Sequence, residues 1–352
     1  MNANNFWLNK KVLLTGHTGF KGSWMSIYLQ NLGAKVYGIS LEPKSTPNLF
    51  QLAGVGDICE ASHICDIRDY SRLHELIKKI NPEIILHMAA QPLVRYGHEF
   101  PVETMAVNIM GTCNVLDSIR YLDNLKVVLA VTTDKVYRNV EGNNSSFVEE
   151  SPLGGYCPYS TSKASCELLA DCYRHSYANK LGISIGTPRA GNVIGGGDWS
   201  IDRLIPDAIR AWERGESITV RRPKAIRPWQ HVLETVSAYA MLAEKMWFEP
   251  HLGGAYNFGP GEGGHLSVHE FLRIAQRAYG RGGIHIDEGE SGPYEAGFLT
   301  LDTSKAKIIL DIGQRWEIEK SINKTMNWYL EKSQGSQAYD LCMSDIREFF
   351  RK

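Results

Sequence analysis

The chain has 352 residues, 43% of them hydrophobic and 22% charged, with a formal net charge of −1. That length holds two domains or one large α/β unit, and the near-neutral balance argues against a nucleic-acid or membrane-surface partner. No apolar run approaches the ~20 residues of a membrane span. The start, Met1-Asn-Ala-Asn-Asn-Phe-Trp7, lacks the basic-then-apolar pattern of a signal peptide. The seven cysteines are odd in number, scattered and never spaced Cys-x-x-Cys. This is the pattern of reduced thiols in a cytoplasmic protein. His265 and His269 have helical metal spacing but no further candidate ligands nearby, so they are read as structural and no metal is expected.

Lys11-Val-Leu-Leu-Thr15 is a short β-run meeting Gly16-His-Thr-Gly19-Phe20-Lys-Gly22, and a helical pattern follows over Ser23–Leu32. Strand, glycine turn and helix form the context that a dinucleotide fingerprint requires. Gly16 permits the tight turn, Gly19 lets backbone approach a pyrophosphate, and Gly22 lets the helix pack on the strand. Phe20 belongs to the same turn and is counted with the cofactor site. Ala34–Leu41 reads as the second strand, where an acid commonly holds the adenosine ribose. Here the strand runs out through Ile39-Ser40-Leu41, and Glu42 is the first acid. Loose NAD binding is therefore expected. NADP is disfavoured, because no arginine stands at the strand end.

Ala61–Arg68 contains an apolar strand ending in an acid, which suits contact with an adenine through the Asp66 side chain and Ile67 backbone. Asp69–Ile80 reads as a helix and Glu83–Met88 as a fourth strand. Small residues at Ala89 and Ala90 let backbone pass against a cofactor, and Gln91, Arg95 and Tyr96 fall on a loop leading toward the substrate. Pro101–Tyr121 reads as one long helix, within which Asn108 is placed to tie it to the neighbouring strand. Lys126–Val131 is a buried strand that breaks into Thr132-Thr133-Asp134-Lys135-Val136-Tyr137. Residues 138–157 form a Gly/Asn/Ser-rich loop able to cover an active site.

Tyr159 and Lys163 stand four apart on the next helical stretch, 159–180, and so share one face. A phenol is a poor base at a pKa near 10. A lysine ammonium and a positive nicotinamide ring both favour the phenolate. The pair can then take a proton from an alcohol while hydride leaves its carbon for NAD. Tyr-x-x-x-Lys is weak by itself; what raises it is a strand ending in hydroxyl, acid and base side chains at Thr133, Asp134 and Lys135. Beyond the strand at Gly182–Pro188 the α/β rhythm lapses. A helix is expected from Asp202 to Arg214, with Arg221, Arg222 and Arg227 supplying guanidinium forks suited to phosphate. Further helices are expected at Glu234–Trp247 and Val268–Tyr279, with a returning core strand at Ala255–Phe258. Thr303–Leu310 and Ile318–Lys332 read as short surface helices, and 334–352 as a tail with a terminal helix.

The chain resembles the extended short-chain dehydrogenase/reductases, and within them the nucleotide-sugar 4,6-dehydratases. The resemblance rests on Gly16–Trp24, Ala89-Ala-Gln-Pro-Leu-Val-Arg95, Thr133-Asp-Lys135, Pro188–Trp199 and Arg227-Pro-Trp-Gln-His-Val232. It implies a cofactor site of Gly16, Gly19, Phe20, Gly22, Asp66, Ile67, Ala89, Ala90, Gln91, Asn108, Thr132, Tyr159 and Lys163. It also implies a substrate site of Gln91, Arg95, Thr133, Asn192, Trp199, Arg203, Leu204, Arg221, Arg227 and Gln230. Tyr159 would act at C4 of the sugar, with Thr133 beside the C4 oxygen, while Asp134 protonates the leaving C6 hydroxyl. Thr-Asp-Lys, where related dTDP-glucose enzymes have Thr-Asp-Glu, is similar to the branch acting on CDP-glucose. Lys135 is then either the base at C5 or a fixed charge that stabilises an enolate.

The resemblance implies a Rossmann-type doubly wound parallel sheet with a smaller C-terminal α/β substrate domain. Residues 1–190, with returning segments near 229–259, would bind NAD, and 191–352 mainly the nucleotide sugar. It further implies a homodimer through a four-helix contact of helices 100–121 and 159–180, with a dimer of dimers also open. The product would serve deoxysugar biosynthesis for a cell-surface polysaccharide such as the lipopolysaccharide O-antigen. The competing readings are a dehydratase for UDP- or dTDP-glucose, and a nucleotide-sugar 4-epimerase, which needs no acid at C6. A non-catalytic redox sensor of the same fold also competes, but sensors of that kind usually lack the tyrosine–lysine pair.

Overall fold

Valine, isoleucine and leucine runs of four or five residues build the centre of the molecule. A computed structural model of the chain describes residues 6–140, 145–261, 264–287 and 299–351. The expectations for the first five residues, and for parts of the 138–157 loop and the 260–302 stretch, lie outside these residues. In chain order the strands are β1 Lys11–Thr15, β2 Lys35–Ser40, β3 Ala61–Ile64, β4 Ile84–His87, β5 Val127–Ala130 and β6 Ser184–Ala190. These are followed by β7 Asn192–Ile194, β8 Ser217–Val220, β9 Ile226–His231, β10 Gly254–Phe258, β11 His265–Ser267 and β12 Gly283–Ile286.

Seven strands form one parallel sheet in the order β10-β6-β5-β4-β1-β2-β3. A parallel sheet is covered on both faces, so its strands are continuously apolar. Alternate residues serve opposite cores. Val12, Leu14, Ile84, Leu86, Val127 and Leu129 face one, and Leu13, Ile85, Val128 and Ile185 the other. Strand order reverses between β1 and β4, which opens a crevice at their carboxyl ends where ligands of such sheets bind. The register pairs Thr15 with His87, so the turn after β1 lies beside the residues after β4.

The segment after β6 adds a three-stranded sheet, β11-β9-β7, and the parallel pair β12-β8. β10 returns to the main sheet beside β6, as expected.

Three expectations are corrected. The stretch Pro101–Tyr121 is broken by a π-turn at Ala106–Met110, and the helix after Pro158 by another at Arg174–Ala178. Such π-turns frequently mark functional sites. Arg95 and Tyr96 lie on a short helix, Val94–Glu99, rather than a loop. The C-terminal helices are not surface elements. Helix Ile318–Ser333 buries Ile322, Thr325, Met326, Trp328 and Tyr329, and helix Ala338–Phe349 buries Leu341, Cys342, Ile346 and Phe349. Apolar residues at helical spacing drive both inward, and Phe350 stacks on Tyr28 of the first helix at 5.5 Å. Among the described residues no helix is long and apolar enough to cross a membrane, and no cluster of three or more metal-binding side chains occurs.

Candidate active site

The turn between β1 and helix Phe20–Asn31 is as tight as its glycines imply. Gly16 has φ of +80°, and a side chain there would strike the Ala89 backbone nitrogen at 2.7 Å. A Cβ on Gly22 would lie 2.0 Å from the Gly16 carbonyl oxygen. Only hydrogen fits at these positions, and the helix they start aims its free N–H groups at the crevice. Gly19 caps that helix and Phe20 opens it. The cradle fits a dinucleotide pyrophosphate.

β1 and β4 are locked together behind the cradle. Thr15 Oγ1 accepts from the Met88 and Ala89 amides at 3.1 and 3.2 Å and meets His87 Nδ1 at 2.7 Å. With its lone pairs engaged, the hydroxyl donates to Nδ1. His87 Nε2–H therefore donates to Thr112 Oγ1 at 2.9 Å. Burial lowers the His87 pKa to about 3, which keeps the ring neutral. Beyond Ala89 and Ala90, the Gln91 amide N–H donates to Asn108 Oδ1 at 2.8 Å, and Asn108 Nδ2 donates back to the Gln91 carbonyl and to Ser162. Asn108 ties helix to strand end, as its position suggested. The Gln91 side chain is buried and bonded to Leu93 and Thr104, within its own loop and neighbouring helix.

At the β2 end, Ser40 bonds Thr18 at 2.7 Å, and no acid precedes Glu42. Asp66 follows β3, but its carboxylate is forked by Arg68 at 2.6–3.0 Å, which holds it below its ordinary range. Ile67 lies under Gly111, whose absent Cβ would meet it at 2.3 Å. The His17 ring fills the space over Gly38 and bonds Ser62 at 2.7 Å.

β5 ends in the chemistry-bearing turn. Asp134 is wholly buried. Its Oδ1 accepts from the Thr133 hydroxyl at 2.9 Å and from Lys135 Nζ at 3.3 Å, while Oδ2 has no hydrogen-bond partner. Pro158 and a Cys157–Ser160 capping box start the helix Pro158–Tyr173, which brings Tyr159 and Lys163 against this turn. Lys163 Nζ donates to the Val131 carbonyl at 2.9 Å, and burial lowers its pKa. Burial pushes the Tyr159 phenol up to about 12, opposed by the Arg203 guanidinium and a hydrogen bond with Thr133. The sequence reading expected Lys163 to depress the phenol; here burial of the ring outweighs the opposing groups.

The substrate-side residues divide. Arg203 donates to the Pro92 carbonyl at 3.2 Å, beside Leu204 at the start of helix Leu204–Glu213. Arg95 pairs with Asp202 at 2.9 Å and keeps its second terminal nitrogen buried without a partner. Asn192 Oδ1 and Trp199 Nε1 are likewise buried and unpartnered. Arg227 and Gln230 are buried on β9, Gln230 bonding the Phe258 carbonyl. Arg221 is exposed beyond β8, so the arginines grouped in sequence sit in unlike surroundings.

Sequence reasoning missed two features. Lys21, inside the glycine turn, lies within electrostatic reach of Lys163, Arg203 and Asp134, and burial with those two cations lowers its pKa to about 8. Its place between turn glycines was the available signal. Glu167 is the other: Thr132, assigned to the cofactor site, donates its hydroxyl to it, and it forks with Arg189 at 2.8–2.9 Å.

Residues 13–325 match the sequence profile of the GDP-mannose 4,6 dehydratase family. The chain is 42% identical to CDP-glucose 4,6-dehydratase of Salmonella typhimurium, covering 92% of each. It is 26% identical to dTDP-glucose 4,6-dehydratase of Xanthomonas campestris, covering 90% of this chain and 92% of the relative. Among solved structures, dTDP-glucose 4,6-dehydratase from Bacillus anthracis in complex with NAD has a TM-score of 0.77 at 22% identity, covering 93% of this chain and 98% of that one. A UDP-glucose 4-epimerase from Stenotrophomonas maltophila, with NAD bound, has a TM-score of 0.78 at 20% identity, covering 94% and 100%. The last two likenesses establish a shared fold.

Proposed function

The chain belongs to the GDP-mannose 4,6-dehydratase family, and from that premise we propose that it converts CDP-glucose to CDP-4-keto-6-deoxyglucose using NAD. The observation that carries the reading is the juxtaposition of a buried Thr133–Asp134–Lys135 turn with Tyr159 and Lys163. A 4-epimerase needs only the tyrosine and lysine. A wholly buried acid with one unpartnered oxygen, beside the same tyrosine, suits elimination of water.

Bound NAD supplies a hydride acceptor for C4 and later a hydride donor for C6. Tyr159 takes the C4 hydroxyl proton, with Thr133 beside the same oxygen. Once C4 is a carbonyl, the proton on C5 is acidic and can be removed by a base on the turn. Asp134 delivers a proton to the C6 oxygen as water leaves, and the base on the turn returns a proton to C5 as C6 is reduced. Lys135 stands at the same acid, one-third exposed, as C5 base or as a fixed charge on the enolate. The glycine cradle, Ala89 and Ala90 would border the dinucleotide. Asn192, Trp199, Arg203, Leu204 and Arg227, from the segment after residue 190, would take the sugar diphosphate. Arginine forks suit its paired oxygens.

The outer faces of the two long helical stretches favour a homodimer. Val102 is 81% and Leu168 63% exposed, and Met110, Tyr121, Tyr177 and Leu181 are also exposed. Side chains of this kind are covered in stable pairs. A deoxysugar for a cell-surface polysaccharide is the fitting end use.

The test is a substrate panel. Incubation with CDP-, UDP-, dTDP- and GDP-glucose, with and without added NAD+, is followed by the alkaline absorbance of the 4-keto sugar. Product from CDP-glucose supports the reading. Product from dTDP- or UDP-glucose instead keeps the reaction and corrects the base. A C4 epimer with no keto sugar overturns it.

A further inference from the structure

Both ends of the turn carrying Thr133, Asp134 and Lys135 are tied to one buried ion pair. Glu167 and Arg189 are each 4% exposed, and they fork at 2.8 and 2.9 Å. Before the turn, the Thr132 hydroxyl donates to Glu167 Oε1, and the Thr132 amide donates to the Pro188 carbonyl at 3.0 Å. After the turn, Arg189 Nη1 donates to the Tyr137 hydroxyl at 2.8 Å, and that hydroxyl donates to Asn257 Oδ1 at 2.6 Å. Arg189 also lies over the Tyr137 ring, 5.0 Å from its centre.

Glu167 is on the helix of Tyr159 and Lys163, four residues past the lysine and on the same face. Arg189 is near the end of β6. The pair therefore joins the helix bearing Tyr159 to β6, and its bonds to Thr132 and Tyr137 carry that link to the turn bearing the acid. The network runs on to Phe147 and Glu149. Arg189 Nη1 also holds the Glu149 carbonyl, Asn257 N–H donates to Glu149 Oε1, and Asn257 Nδ2 donates to the Phe147 carbonyl. Phe147 stacks on Tyr137 at 4.9 Å with planes 4° apart. A buried pair of this sort survives only when its remaining donors and acceptors are satisfied, and these bonds satisfy them.

We propose that Glu167 and Arg189 are positioning residues that fix the Thr133–Asp134–Lys135 turn against Tyr159, gripping it through Thr132 on one side and Tyr137 on the other. The proposal rests on the dehydratase reading. C4 oxidation draws mainly on Tyr159, which shares a helix with Glu167, with Thr133 of the turn beside it. Elimination draws on Asp134 and Lys135, both carried by the turn. Releasing the turn therefore slows the second half of the reaction more than the first.

Thr132→Val and Tyr137→Phe each cut one tether and leave the ion pair in place. The purified variants are mixed with CDP-glucose and NAD+, and the absorbance of enzyme-bound reduced nicotinamide is followed together with keto-sugar release and thermal melting. Elimination should fall about tenfold or more, the scale expected from a small misplacement of reacting groups, and oxidation by less. Reduced nicotinamide then accumulates in the steady state. Variants that hold the wild-type fraction of reduced nicotinamide, whatever their rate or melting temperature, overturn the proposal and leave the pair a purely structural one. A wild-type protein that yields no keto sugar removes the dehydratase reading and the proposal with it, and the two failures are separated by which protein shows them.

Discussion

Lys135 meets Asp134 at 3.3 Å, and the two neighbours differ sharply in environment, the acid wholly buried and the lysine one-third exposed. Oδ1 of the acid is occupied by Lys135 and Thr133, so Oδ2 is the oxygen free to hand a proton to substrate. Asp134→Asn should cost ~10²–10⁴-fold in turnover, the usual worth of a positioned acid. Lys135→Ala distinguishes the two roles open to the lysine. If it is the C5 base, substrate deuterated at C5 keeps its label in the variant while C4 oxidation continues. Exchange at C5 at the wild-type rate ends that role and leaves the electrostatic one.

Tyr159 must lose a proton to act, and burial works against it, raising the phenol to about 12. The phenolate fraction therefore climbs with pH across the neutral range. kcat/KM should rise with pH, on a limb set below 12 by the positive nicotinamide and by Lys163. Lys163→Met should move that limb upward by about a unit or more, since an adjacent charge is worth that much in a buried site, and Tyr159→Phe should abolish it. A pH profile unaltered by Lys163→Met would show that the lysine acts only in holding the Val131 carbonyl.

The cofactor grip is weak at the ribose. No carboxylate stands at the end of β2, and Asp66, on the next strand, is forked to Arg68. A charge-assisted hydrogen bond is worth ~1.5–3 kcal/mol, so its absence costs about tenfold or more in affinity. The purified protein should carry less than one NAD per chain, and activity should rise with added NAD+. Stoichiometric NAD that resists gel filtration would contradict this.

Much of this site was legible in the sequence because its chemistry is local. The glycine turn, the Thr133–Lys135 run and the Tyr159–Lys163 pair each follow from spacing along one element. Asn108 was legible for its tie to the strand but not for the π-turn around it, since one extra residue in a turn leaves no compositional trace. Glu167 and Arg189 were invisible for another reason. Their meaning is a contact between a helix and a strand end 22 residues apart, and a charge on a helix reads as solvated until the fold buries it. The C-terminal helices were misjudged similarly: Trp328 and Tyr329 read as surface residues until β9, helix Val268–Tyr279 and the Gly196–Trp199 segment are in place to cover them.

The buried histidines predict acid lability. Burial lowers His17 to about 4, and His87 and His231 to about 3, from an ordinary value of 6.5. Each is depressed in the folded protein, so its stabilising contribution is full above 6.5 and is lost as pH falls toward the folded value. At pH 5 each costs about 2 kcal/mol, from roughly 1.5 pH units at ~1.4 kcal/mol per unit, or about 6 kcal/mol for three. That is comparable to the ~5–15 kcal/mol stability of a typical protein. Asp345 acts with the opposite sign. Burial raises it to about 6, so the folded protein holds its proton more tightly, and stability falls as pH rises from 3.8 through 6. Urea midpoints should therefore fall steeply between pH 6.5 and 5, with the three histidines taking up about three protons on unfolding near pH 5. Asp345→Asn should raise the midpoint at pH 7, because the buried charge is gone while Lys324 keeps Glu348. It should also steepen the acid limb by removing the opposing slope. A midpoint flat from pH 7 to 5 in the wild type would mean that the three rings accept protons while folded.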